Sequence, residues 1–235
     1  MFHGDDPRLA AVVRRACSTA RDLGRGRVGS EDLLLALARG GDRVAEILAG
    51  HGASAAAVRS AADTAAPQGA GAAADRALLA TLGVDLDRLL PDPAGAPWDR
   101  LVGRAPLLPL GSSAARRRSA RRNPPLGLDA QAAYEASLRL ALARRERQHR
   151  PEHLALALVT LDPGVDWLLA TLGTDRRVLA EELAAAFPAP ARAHIQRAER
   201  RLGSRSRHRR LVRRYQHVTG RTAIDGAALA KLING

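Results

Sequence analysis

Between Asp6 and Pro67 the chain sets apolar residues three and four apart, broken by short polar or glycine-bearing stretches. That spacing predicts helices. Asp6-Pro7 is a helix start, with Asp able to cap and Pro at the first position. Leu9, Val12, Val13, Ala16, Ala20 and Leu23 then mark one face, which Gly24 and Gly26 end. Ser30 is the expected cap of a second helix, LLLALA, stopping at Gly40-Gly41. Val44 to Ala49 is a third, closed by Gly50 and Gly52, and Ser54 starts a fourth that ends near Ala66-Pro67. Four short helices in this span predict a compact all-α unit.

The pattern then returns. VGSEDLLLALARGGDRVAEILAGHG (28–52) lies without a gap over HRPEHLALALVTLDPGVDWLLATLG (149–173). Glu31, Leu33, Leu35, Leu37, Val44, Leu48 and Gly52 meet Glu152, Leu154, Leu156, Leu158, Val165, Leu169 and Gly173. A period of 121 residues is too long for a solenoid unit. It reads as one small helical domain used twice. The second unit begins near Leu126, where Ala130, Ala133, Tyr134, Ser137, Leu138 and Ala141 repeat the first helix's face. Pro151 to Val159, Val165 to Leu172 and Asp175 to Phe187 are its other three helices.

Residues 67–125 form a spacer rich in Gly, Ala, Pro and Arg, with one expected helix from about Asp75 to Leu90. Its LLATLG (78–83) is identical to residues 168–173. Two readings stand: a fragment of a further repeat, or the ordinary likeness of Ala/Leu helices that end in Gly. The stretch SSAARRRSARRNPP is expected to be disordered. After Pro188-Ala189-Pro190, IQRAERRLG, RHRRLVRRYQHV and DGAALAKLI predict a basic helical tail.

Composition sharpens this. Hydrophobic residues are 46% of the chain and aromatics only 3%, so the core is built from Ala, Leu and Val. Close-packed helices suit that set better than sheets do. The net charge of +13 is localised: residues 112–122 carry +5 and residues 191–235 carry +10. The rest is nearly neutral, so the basic character belongs to a linker and a tail. Cys17 lies in the apolar pattern of the first helix and reads as a small buried hydrophobe. The N-terminal MFHGDD lacks an apolar signal region and no apolar run is long enough to cross a membrane. A cytoplasmic protein without membrane partners is the default expectation.

The runs RLAAVVRRACSTARDLGRGRVGSEDLLLALARG and DAQAAYEASLRLALARRERQHRPEHLALALV resemble the doubled N-terminal repeat of Clp unfoldases. In that family a helix leads through a Leu-Gly-His turn to Gly-Thr-Glu-His-Leu-Leu. Leu23-Gly24 and Gly29-Ser30-Glu31-Asp32-Leu33-Leu34 match in the first copy, and Glu152-His153-Leu154 in the second, which loses the Leu-Gly. The similarity covers about 1–66 and 126–188. It implies an all-α fold of two four-helix repeats related by a pseudo-twofold, with a disordered spacer at 67–125 and a basic helical arm at 189–235. The family's ATPase modules are missing. A Walker A loop needs a Gly-Lys-Ser/Thr end, and the only lysine, Lys231, precedes Leu232. The resemblance is therefore to a free-standing, non-catalytic binding module of the Clp proteolysis system, an adaptor, decoy or sequestering protein without cofactor. Its implied partners are a Clp ATPase, Clp substrates or small peptide-like ligands.

Glu31 and Glu152 stand at equivalent first-turn positions. In phospho-arginine-binding Clp N-domains the matching acid meets the guanidinium, and a carboxylate suits that planar donor set. The other reading is an acid favoured by a helix N-terminus. The family's phosphate-facing threonine falls at Asp6, which would repel a phosphate, and at Gly127, which has no hydroxyl. Unmodified cationic side chains remain as ligands. His149-Arg150-Pro151-Glu152-His153 fits the H-x-x-E-H zinc-peptidase pattern. Pro151 is expected at the first helical position, which leaves His149 outside the helix and the match a coincidence. The tail, with Arg209, Arg210, Arg213 and Arg214, supplies the alternative function: nucleic-acid binding through phosphates. Tyr215 is its one aromatic, so base stacking has little support.

Overall fold

The computed structural model describes residues 3–66, 68–85 and 124–189. The arginines of 112–122, the end of the expected spacer helix beyond residue 85 and residues 190–235 of the basic tail lie outside the described residues. Among the described residues the chain is all-α. The helices are α1 (Pro7–Asp22), α2 (Ser30–Ala38), α3 (Arg43–Gly50), α4 (Ala55–Thr64), α5 (Ala70–Thr81), α6 (Leu128–Ala143), α7 (Pro151–Leu161), α8 (Pro163–Thr171) and α9 (Arg176–Ala186). α6 begins and ends 121 residues after α1, and α7 and α9 begin 121 residues after α2 and α4.

Caps explain most starts. Asp6 accepts from Arg8 N at 2.8 Å with Pro7 as the first residue of α1. Asp42, Ser54, Asp162 and Asp175 cap α3, α4, α8 and α9 in the same way. Each satisfies backbone N–H groups that have no partner inside the helix. Two expectations shift. Ser30 is the first residue of α2 rather than its cap. Gly29 takes the cap position, and its N–H is met by Asp32 Oδ2 at 3.0 Å. The spacer helix starts at Ala70 rather than Asp75 and stops at Thr81, because Gly83 takes φ +72° and turns the chain out of the helix.

α2 and α7 are the central helices. Every residue from Ser30 to Leu37 and from Pro151 to Val159 is buried. A helix apolar on all sides belongs at the centre of a core. Leu33, Leu35 and Leu37 and their counterparts Leu154, Leu156 and Leu158 are at most 1% exposed. One cluster of buried side chains runs through both halves, so they share a core. Each fully buried Leu contributes roughly 1.5–3 kcal/mol.

The two halves also exchange backbone. His149 N donates to Gly4 O at 2.9 Å, and Asp6 N to His149 O at 2.8 Å. Val28 N donates to Pro125 O at 2.9 Å, and Gly127 N to Val28 O at 2.8 Å. Adding 121 to one partner and subtracting it from the other turns the first two bonds into the second two. α5 lies along α8 and touches α2. A Cβ on Gly164 of α8 would meet Gly71 N of α5 at 2.7 Å, so the two backbones touch there.

Candidate functional site

Glu31 lies in the first turn of α2 and is only 4% exposed. Arg25, from the turn after α1, places Nη1 3.1 Å from Glu31 Oε1 and 2.8 Å from Asp32 Oδ1. Glu31 Oε2 has no hydrogen-bond partner. Two glycines bracket this carboxylate. A Cβ on Gly29 would lie 2.3 Å from Oε2, and one on Gly69 would lie 2.9 Å from Oε1. Across the junction, Asp129 Oδ2 of α6 accepts from Ser30 N at 2.9 Å, so the second half caps a helix of the first. Burial, then Asp32 and Asp129, push the Glu31 carboxyl up to about 7, with its own backbone N–H and Arg25 only partly opposing them. Burial also raises Asp32, against Arg25 and the Gly29 N–H. The first half thus holds an acidic corner with one arginine on its two first-turn acids.

Glu152 is 6% exposed, and its corner is built with the opposite polarity. Arg150 Nε lies 2.9 Å from Glu152 Oε1, and Arg150 also pairs with Glu146. His153 Nδ1 accepts from Arg150 N at 3.0 Å, and its Nε2 lies 3.1 Å from Glu146 Oε1. Burial alone would raise Glu146. The bond and charge of His153, with Arg150, outweigh it and hold the carboxyl below its ordinary value. Glu146 and His153 are the 121-residue counterparts of Arg25 and Asp32, with the charges exchanged.

His149 is fully buried in the turn before α7, and Pro151 is that helix's first residue. Its Nδ1 is 2.9 Å from Asp5 Oδ1 and its Nε2 is 2.8 Å from Ser137 Oγ. Tyr134 donates to Asp5 Oδ2 at 2.7 Å and sets its ring edge-on to the imidazole, 5.0 Å away. With Nδ1 protonated toward Asp5, Nε2 accepts from Ser137, whose one hydroxyl proton is shared with Tyr134 O. Burial pushes the His149 imidazole below its ordinary pKa, against the pull of Asp5. This is a Ser–His–Asp chain in geometry. Ser137 and His149 are both 0% exposed, so a substrate carbonyl has no approach to the hydroxyl. What the chain does is tie residues 3–6 to the second half. The H-x-x-E-H histidines are drawn into separate contacts, and no group of three or more His, Cys, Asp or Glu among the described residues is placed to hold a metal ion.

Glu31 and Glu152 therefore occupy equivalent first turns, each buried against an arginine of its own half. Arg209, Arg210, Arg213 and Arg214 lie outside the described residues. Sequence reasoning missed Arg25, Asp129, Asp5 and Ser137. The first two carried a signal: in the aligned repeat, Arg25 faces Glu146 and Asp129 faces Arg8, so charge reverses at both positions.

No protein-family model matches the chain. No curated protein matches it either.

Proposed function

We propose that the chain is a non-catalytic binding module of the Clp proteolysis system, acting as adaptor, decoy or sequestering protein. In this reading residues 1–66 and 126–188 are two Clp N-domain repeats related by a pseudo-twofold, and residues 189–235 are a basic arm. One observation carries it: the reciprocal backbone exchange, in which each half binds the other with the same atoms 121 residues apart. That is the pairing two copies of one unit make across a twofold. The Gly29-Ser30-Glu31-Asp32-Leu33-Leu34 motif lies at the same junction. Glu31 is the recognition point: it has an unpartnered oxygen in an acidic corner, where a guanidinium of a partner or substrate would find acceptors.

Immobilised full-length protein, titrated with an unstructured arginine-containing peptide and with a Clp ATPase stripped of its own N-domain, tests this. Saturable binding of one of them that weakens about tenfold in Glu31→Gln, a loss of about 1.4 kcal/mol, is the expected result. The +10 charge of residues 191–235 supports the second reading, a nucleic-acid binder. Binding of RNA or DNA alone, steeply salt-dependent and lost with residues 191–235, would establish it instead.

A further inference from the structure

We infer that the first turn of α5 is a displaceable cover over Glu31, competing with an external guanidinium for that carboxylate. The inference rests on the reading of Glu31 as the recognition point and adds how access to it is controlled. Gly69, the cap residue of α5, stands at φ +88°, a conformation that favours glycine. A single added methyl there would come within 2.9 Å of Glu31 Oε1. The carboxylate therefore lies against the N-terminal end of α5, whose partial positive charge substitutes for a cation. The substitution is incomplete, since Glu31 Oε2 stays without a donor.

The cover is weakly held. Only Ala70 and Ala73 of α5 are buried, while Leu78 and Leu82 at its far end are 64% and 71% exposed. Beneath it, α8 buries Gly164, Val165, Leu168 and Leu169, and α2 is buried from Ser30 to Leu37. An element with so little buried apolar surface opens at lower free energy than the core it rests on. Opening would uncover the Glu31 carboxylate beside Asp32 from its Oε1 side, with Arg25 still in place, so that a second donor could reach it.

Hydrogen exchange on the full chain, with N-acetyl-arginine amide as the binding probe, tests this. Gly164→Ala pushes a methyl to 2.7 Å from Gly71 N without touching Glu31. It should speed exchange in residues 70–81 while α7 stays protected. Probe affinity should rise by the same factor as the open population, about tenfold. Adding Glu31→Gln should abolish the gain. Gly71→Ala, whose Cβ meets nothing closer than Asp129 Oδ2 at 4.0 Å, is the control: it favours the helix and should neither speed exchange nor raise affinity. If Gly164→Ala does not fold, Gly69→Ala, strained at φ +88° and pressed against Glu31 Oε1, should loosen the same first turn, with hydrogen exchange as the readout. Exchange in 70–81 as slow as in α7 would overturn the cover while leaving Glu31 as a ligand site. Faster exchange with unchanged, Glu31-dependent affinity would also overturn it. Faster exchange with no probe binding in any variant would overturn both it and the Glu31 site.

Discussion

The two corners at Arg25–Asp32 and Glu146–His153 solve one problem with opposite charges. In each, the third residue of a buried helix accepts from the N–H of its cap residue: Asp32 from Gly29, His153 from Arg150. In each, the other side of that ring or carboxylate meets a partner from the preceding turn, Arg25 or Glu146. The neighbours changed in concert. Ser30 has an N–H that needs an acceptor and receives Asp129; Pro151 has none, and Arg8 stands exposed at the position equivalent to Asp129. What a buried corner requires is paired donors and acceptors, and their polarity is free to reverse. Burial is the main reason Glu31 is pushed upward, and the surplus acid that only the first corner gathers adds to it.

Five experiments break or sharpen the comparison. Arg25→Ala strips the one basic partner from two buried acids and should cost about 3–5 kcal/mol at neutral pH, read by urea unfolding. Arg25→Glu combined with Asp32→His, which copies the second corner, should recover part of that loss; no recovery would mean the corners are not interchangeable. Leu35→Ala and Leu156→Ala should each cost about 2–5 kcal/mol, in one transition because the core is shared. Two separable melts would split the halves.

Glu31→Gln tests the acid surplus through pH. The folded pKa, about 7, lies above the ordinary 4.5. Its contribution is fully present below about 4.5 and is lost as pH rises through 7. The variant lacks this loss, so between pH 4 and 8 it should gain on the parent by about 3 kcal/mol. A constant difference across that range would show that Glu31 ionises as freely as an exposed acid. His149→Val, which installs the residue of the equivalent Val28, tests the opposite slope. The folded imidazole titrates below 6.5, so its contribution is complete above that pH and is lost as pH falls. The parent should lose up to about 1.4 kcal/mol per pH unit from this group, and the variant should not. Just below pH 6.5, where both titrate, the two groups oppose each other, and the single variants separate them.

Helix positions were legible because caps and apolar periodicity are local. Asp6-Pro7 and the Leu33/Leu154 register need nothing beyond their own neighbourhood. The site was not, because its partners are distant: Ser30 meets Asp129 across 99 residues and His149 meets Asp5 across 144. The two LLATLG segments show the same limit. Both end a helix at a glycine with positive φ, yet Leu168 is 0% exposed and Leu78 64%. Six identical residues carry the same cap and no information about what covers them, which favours the ordinary likeness over a further repeat.

The distance from Ser30 to Asp129 has a consequence for the chain as it is made. The acceptor that closes the start of α2 emerges 99 residues after the donor. At synthesis rates of about 5–20 residues per second, that is a delay of roughly 5–20 s. Through it the most apolar helix of the first half waits at the ribosome without its far-side neighbours, a long window for a holding chaperone and for misassembly.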